Sequence, residues 1–165
     1  MENSTQQHQH GKAMASMKYT TFAMMIAAGS IIMFGLMYLN TYALDHIFYS
    51  ETRAYMAVIM GASMAVVMLL FMWKMYPNKV ANAGILIGSF IALFVALWLV
   101  RSQTTIDDVA YMRAMIPHHS IAILTSERAN ITDPRVRELA DDIIAAQRRE
   151  IGEMKSYIQD LESKR

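Results

Sequence analysis

The chain has 165 residues, of which 55% are hydrophobic and only 18% are charged, and its formal net charge is +1. This balance is displaced from that of an ordinary soluble domain toward that of a membrane protein. The near-zero net charge argues against a large basic surface for nucleic acid. Cysteine is absent and methionine occurs 16 times, which excludes disulfides and thiolate metal sites but leaves thioether sulfur as a soft metal ligand.

Residues 1–18 are polar, and their Gln/His-rich composition predicts a disordered cytoplasmic tail. Three apolar runs follow, at 19–39, 54–73 and 80–100, each of about twenty residues without a charge. Runs of this length cross a hydrocarbon core of roughly 30 Å, and they do so as helices because each backbone polar group needs an internal partner in lipid. The sequence therefore predicts a three-helix transmembrane region over 19–100, whose first run is a retained signal anchor.

Positive residues concentrate on one side of the predicted membrane. Four lysines lie before the first run or around the turn between the second and third: Lys12, Lys18, Lys74 and Lys79. The loop between the first two runs has two acidic residues and one arginine. By the positive-inside rule, the amino terminus lies in the cytoplasm of a bacterium, the protein spans its inner or plasma membrane, and residues 101–165 are periplasmic or extracellular.

The segment after Val100 predicts a hairpin of two helices, at about 105–129 and 134–163. Thr132-Asp133-Pro134 supplies a capping residue followed by proline at the first helical position. Residues spaced three and four apart form a mostly apolar seam on each helix: Val109, Met112, Ile116, His119 and Ile123 on the first, and Ala140, Ile144, Gln147, Ile151, Met154, Ile158 and Leu161 on the second. Because two helices bury little surface, the hairpin is expected to pair with a second copy as a homodimeric four-helix bundle.

Methionine recurs every four residues along the second run, at Met56, Met60, Met64, Met68 and Met72. This row is a candidate path for a soft cation. Ordinary packing in lipid is the default interpretation, because a four-residue repeat drifts about 40° per step and no charge lies within any span.

Small residues also recur four apart in two of the runs. Ala57, Gly61 and Ala65 form one such face, and the third run has another: Gly84, Gly88, Ala92 and Ala96. Small faces allow close approach of helix backbones, so these two are predicted to pack together, within or between chains.

Soft-metal ligands cluster in the first hairpin helix. Met112, Met115 and His119 fall within one sector of it, while His118 points about 100° away, and Pro117 is expected to kink the helix. Thioethers suit Cu(I) or Ag(I), and imidazole tolerates Cu(I) and Cu(II). Spacing alone leaves two interpretations open, a copper-type site or methionine packing beside a surface histidine.

Three residues of the second hairpin helix share one face: Gln147, Glu150 and Met154. Gln147 is the one polar residue on the apolar seam, where it either fixes the helix register or orients a histidine. In the first loop, Asp45-His46 is predicted to be part of an interfacial loop, with guidance of metal toward the hairpin as the alternative.

The stretches YMRAMIPHHSIAIL (111–124) and ADDIIAAQRREIGEM (140–154) resemble the paired signatures of the domain of unknown function 305 family. That family is ferritin-like and includes the periplasmic copper-binding protein CopM. The resemblance covers about residues 104–160 and implies a helical bundle that binds copper, with Cu(I) favoured and Cu(II) or Ag(I) as alternatives. The residues that it implies are Met115, His118, His119, Glu150 and Met154 as ligands, with Gln147 beside them.

Two departures from that family bear on this prediction. Many relatives have two hairpins where this chain has one, which favours a dimer, and Thr125 stands where the family often has methionine. The leading prediction is a membrane-anchored copper-binding protein for buffering, delivery to a copper-accepting protein or tolerance. The alternative is a membrane-anchored assembly or scaffold protein without a metal. An enzyme is not predicted, because the chain has neither the Glu-x-x-His pairs of di-iron bundles nor a Gly-x-Ser-x-Gly elbow.

Overall fold

The computed structural model describes the backbone of residues 2–164 and the side chains of residues 17–164. Within that range every regular element is helical, which confirms the all-α prediction. The elements are α1 (Glu2–Leu36), α2 (Glu51–Phe71), α3 (Lys79–Ser102), α4 (Asp108–Arg128) and α5 (Pro134–Ser163), with short 3₁₀ turns at Leu44–His46 and Trp73–Met75. The chain divides into a unit of residues 1–34 and 55–102 and a unit of residues 35–54 and 103–165, called here the membrane unit and the hairpin unit.

Three helical segments are long and apolar enough to cross a membrane: Met17–Leu36, Glu51–Phe71 and Lys79–Ser102. They match the three predicted spans to within a few residues. The backbone of residues 2–18 is helical as part of α1, where the sequence predicts a disordered tail. Alanine, methionine, glutamine and lysine in this segment are favourable helix formers, so they extend α1 toward the amino terminus.

The small face of α2 packs on α1 in the membrane unit. Ala57, Gly61 and Ala65 are buried, and a Cβ atom added at Gly61 would clash with the Ser30 hydroxyl of α1. The small face of α3 is open at its start, because a Cβ at Gly84 or at Gly88 would meet nothing within 4 Å. Residues of α1 therefore occupy the small face of α2 at Gly61, while the small face of α3 is open at Gly84 and Gly88.

One buried polar side chain ties the helices of the membrane unit together. Asn82 of α3 accepts a hydrogen bond from the Tyr19 hydroxyl at 2.8 Å and donates from Nδ2 to the Tyr76 carbonyl at 2.8 Å. Tyr76 also joins Phe22 and Leu69 in a buried apolar cluster. Asn82 thus has partners for both its acceptor and its donor, as a buried amide requires.

Each hairpin helix begins after a capping aspartate, and the sequence predicts the second of these two caps. Asp107 accepts a hydrogen bond from the Ala110 amide at 2.8 Å, and Asp133 accepts from the Arg135 amide at 2.9 Å. Proline follows Asp133 at the first position of α5, where its missing N–H has no consequence. The helix α4 continues through Pro117, which lies buried inside it.

The two predicted seams form the core of the hairpin. Val109, Met112, Ile116 and Ile123 of α4 pack with Ile151 and Ile158 of α5, and Ile144, Met154 and Leu161 lie against them. Phe48 from the first loop joins the same cluster. The loop therefore covers one side of the hairpin and belongs to its folding unit.

Candidate functional site

His119 and Glu150 bring the two hairpin helices together through their side chains. His119 Nε2 lies 2.8 Å from Glu150 Oε2, and His119 Nδ1 lies 2.9 Å from the Met115 carbonyl oxygen one turn earlier on α4. The His119 side chain is 14% exposed, whereas the Glu150 side chain is 41% exposed. The carboxylate is thus the solvent-facing half of the pair.

The surroundings of His119 restrict where its proton lies. The Met115 carbonyl only accepts hydrogen bonds, so Nδ1 carries the proton that is donated to it. A neutral ring then directs the lone pair of Nε2 toward the Glu150 carboxylate, which also only accepts. The two acceptors are satisfied either by a proton on Nε2 or by a metal cation bound there. Donation from the other ring nitrogen to a backbone carbonyl is the usual orientation of a metal-binding histidine.

The other predicted ligands on α4 are turned away from this pair. His118 is exposed, and its ring centroid lies 6.1 Å from that of His119. His118 and the half-buried Met115 line a pocket of about 220 Å³ in the hairpin unit. The structure thus places a nitrogen donor and a thioether near each other on a second sector of α4.

Two predicted thioether ligands pack in the core of the hairpin. Met112 is buried among the isoleucines of the seam, and Met154 lies against the same cluster. Gln147 is half-buried on α5, two turns before Met154. Among the side chains of residues 17–164, no three His, Asp or Glu groups gather as a metal would require, so the predicted ligands are split between the His119–Glu150 pair, the pocket and the core.

The methionine row of α2 also has packing contacts. The Met64 methyl lies 2.8 Å from the place that a Cβ atom would take on Gly29 of α1, and Met68 and Met72 lie against the buried cluster of the membrane unit. Met60 is half-buried and Met56 is exposed. These contacts account for the row by packing, and a metal path along it stays a hypothesis.

A polar contact between the first loop and α4 was missed by the sequence reasoning. Ser120 is fully buried, and its hydroxyl oxygen accepts from the Tyr42 amide at 2.7 Å and lies 2.9 Å from His46 Nδ1. The signal that would have indicated it is a small polar residue on the otherwise apolar seam between Ile116 and Ile123. His46 therefore holds the loop on the hairpin through Ser120.

Charged groups surround this contact. Lys155 Nζ of α5 lies 2.6 Å from Asp45 Oδ2, and this hydrogen bond lowers the pKa of the Asp45 carboxyl. Burial lowers the pKa of His46, the nearby charge of Lys155 lowers it further, and Asp45 opposes both effects. Burial and the charge of Lys155 therefore favour the uncharged imidazole at this contact.

Residues 108–165 match the family described as Domain of unknown function (DUF305). The chain is also similar to Uncharacterized protein L153 of Acanthamoeba polyphaga mimivirus, with 44% identity over 75 residues. The matched part is 44% of this chain and 49% of that relative, so the chain spans about half the length of the curated protein that it matches. No solved structure matches the chain. The part of the chain that resembles this family is therefore the hairpin of α4 and α5, which follows three helices long and apolar enough to span a membrane.

Proposed function

We propose that this chain is a membrane-anchored copper-binding protein that buffers copper or delivers it to an accepting protein. The observation that carries the proposal is the His119–Glu150 pair, whose histidine is oriented by the Met115 carbonyl so that Nε2 meets a carboxylate at 2.8 Å. The proposal is also supported by the resemblance of the stretches 111–124 and 140–154 to a family that includes a copper-binding protein. The proposed location is an inner or plasma membrane with the amino terminus in the cytoplasm and the hairpin outside.

The chemistry of the donors divides between the two oxidation states of copper. The imidazole of His119 and the carboxylate of Glu150 are a nitrogen–oxygen pair that suits Cu(II). The Met115 thioether and the His118 imidazole are a sulfur–nitrogen pair that suits Cu(I). Met112 and Met154 would reach a metal only if they left the hairpin core, so they are the weaker candidates.

The proposal is tested by copper titration of the full-length chain in detergent, with and without reductant, in competition with a chromogenic chelator. Glu150→Gln and His119→Gln are expected to lower Cu(II) affinity by about tenfold or more, because each removes one donor of the pair. Glu153→Gln is the matched control, since Glu153 is an exposed carboxylate one turn further along α5. Equal affinities for the wild-type chain and both pair variants would overturn the proposal.

An assembly protein without a metal is the second candidate, and two observations favour it. Met112 and Met154 pack as ordinary core residues, and α5 also carries apolar side chains on its exposed surface, including Val136 and Leu139. If this candidate is right, the His119→Gln chain keeps its oligomeric state, and neither it nor the wild-type chain binds copper specifically. The titration therefore separates the two functions.

A further inference from the structure

The pocket of about 220 Å³ in the hairpin unit is lined in part by the positively charged side chain of Arg53. Its lining includes Thr52 and Arg53 from the first turn of α2, Gln103 after α3, and Tyr111, Ala114 and His118 from α4. Most of the wall is carbon. A cavity of this kind suits a ligand that combines a charged group with an apolar part.

Arg53 has no acidic partner among the side chains of residues 17–164. Its Nη1 donates to the Met37 carbonyl at 2.7 Å, and its guanidinium lies 4.3 Å above the Tyr38 ring centre. None of the ion pairs among residues 17–164 includes this arginine, although it is half-buried. Because removal of a charge from water is costly unless it is compensated, the site favours an anion beside Arg53.

Two residues that line the pocket lie at or next to the ends of candidate membrane spans. Arg53 is the third residue of the apolar segment Glu51–Phe71, and Gln103 directly follows the apolar segment Lys79–Ser102. A helix rises 1.5 Å per residue, so Arg53 lies about 3 Å from the start of its span. Both residues therefore fall in the zone of lipid headgroups that flanks the hydrocarbon core.

We propose that this pocket binds the phosphate of a phospholipid headgroup. The guanidinium of Arg53 matches a phosphate through two parallel N–H donors, and the Thr52 hydroxyl adds a further donor at the same rim. The carbon wall formed by Tyr111, Ala114 and Met115 suits the glycerol and the first methylene groups of the same lipid. Free phosphate offers the charge without the apolar part, so the lipid is the better occupant.

The test is native mass spectrometry of the full-length chain released from detergent after incubation with one of three probes. The probes are dioleoyl phosphatidylglycerol, dioleoylglycerol, which lacks the phosphate, and inorganic phosphate, which lacks the lipid. A bound phosphatidylglycerol is expected, with neither of the other probes retained at the same concentration. Arg53→Gln is expected to reduce the retained lipid by about tenfold, since it removes a charge-assisted hydrogen bond.

Two further variants keep the result interpretable. Ala114→Phe fills the pocket while it leaves the contacts of Arg53 with Met37 and Tyr38 in place, and it is expected to reduce the lipid even if Arg53→Gln fails to fold. Arg101→Gln is the matched control, because Arg101 is an exposed arginine in the last turn of α3. Thermal unfolding of each variant reports whether it is folded.

Three outcomes would overturn the proposal. Retention of dioleoylglycerol equal to that of phosphatidylglycerol would show that the phosphate is not recognised. Equal retention of inorganic phosphate would show that the lipid part is not recognised. Equal loss of lipid in the Arg53→Gln and Arg101→Gln chains would show general attraction to the membrane surface. None of these outcomes bears on the Cu(II) donors, because neither His119 nor Glu150 is changed.

Discussion

Neighbouring histidines in this chain have different surroundings. His119 is nearly buried between a carbonyl and a carboxylate, whereas His118 is exposed at the rim of a pocket. The difference follows from the helix, because consecutive residues point about 100° apart. His46, in the first loop, has a third kind of surrounding, a buried hydroxyl. The role of each of these three histidines is therefore tested by a different experiment.

The contact of His46 predicts a pH dependence of folding stability. Burial lowers the pKa of His46 in the folded chain, while the unfolded chain binds a proton as the pH falls through the ordinary histidine value of about 6.5. The stabilisation is therefore fully present above that value and is lost as the pH falls from there through the folded pKa. Thermal unfolding of the full-length chain in detergent should show a melting temperature a few degrees lower at mildly acidic pH.

Two variants isolate this effect from the titration of other groups. His46→Asn places an amide oxygen where it accepts from Ser120 and does not titrate, so its pH dependence should be flatter than that of the wild-type chain. His118→Asn, which changes an exposed histidine, should keep the wild-type slope. The interpretation fails if His46→Asn and the wild-type chain lose stability in parallel.

At the scale of single helices, the packing of α2 on α1 depends on a glycine. A side chain at Gly61 would meet the hydroxyl of Ser30, which is itself bonded to the Ile26 carbonyl at 2.8 Å. Gly61→Leu is therefore expected to destabilise the membrane unit by about 1–3 kcal/mol, the usual cost of overpacking. The measurement is thermal unfolding in detergent.

Gly84→Leu is the matched control for this prediction, because α3 has open space at Gly84. Its melting temperature should stay close to that of the wild-type chain. A larger loss for Gly84→Leu than for Gly61→Leu would contradict the assignment. It would indicate that the small face of α3, and not that of α2, is the tightly packed one.

Most of the helices could be predicted from sequence because their signals are local. Charge-free runs define the spans, and Asp133 followed by proline defines the start of the second hairpin helix. The packing partner of Gly61 could not be predicted in the same way, because a small face shows that another helix comes close without showing which one.

The candidate site could be predicted only in part. Spacing on α4 places Met112, Met115 and His119 in one sector, but it does not show how closely α5 approaches. The close approach of α5 decides which of these residues can bind a metal, because it buries Met112 in the core and leaves His119 against Glu150. The Ser120–His46 contact joins residues 74 positions apart, and no periodic pattern indicates such a pairing.

At the scale of the whole molecule, the hairpin has one covered face and one open face. The first loop covers a side of the hairpin through Phe48, His46 and Asp45. An apolar stripe on α5 is exposed elsewhere, with Val136 at 49%, Leu139 at 59% and Tyr157 at 57% exposure. Their spacing places them on one face of the helix, and Glu150 lies on that same face.

We expect this stripe to pair with the stripe of a second copy. A two-fold contact is self-complementary and would complete a four-helix bundle from two hairpins. It would also place Glu150 of each copy in the interface, so that two His119–Glu150 pairs face a shared site. Sedimentation of the full-length chain in density-matched detergent should therefore show a dimer, with about one copper ion bound for every two chains.

Leu139→Glu tests this arrangement, because it places like charges opposite each other across the two-fold axis. The variant is expected to sediment as a monomer and to lose most of its copper affinity, while its thermal unfolding reports an intact hairpin. Ser156→Glu adds the same charge at an exposed position of α5 outside the stripe and should remain dimeric. A wild-type monomer that binds one copper ion per chain would contradict the shared site, since each His119–Glu150 pair would then bind metal alone.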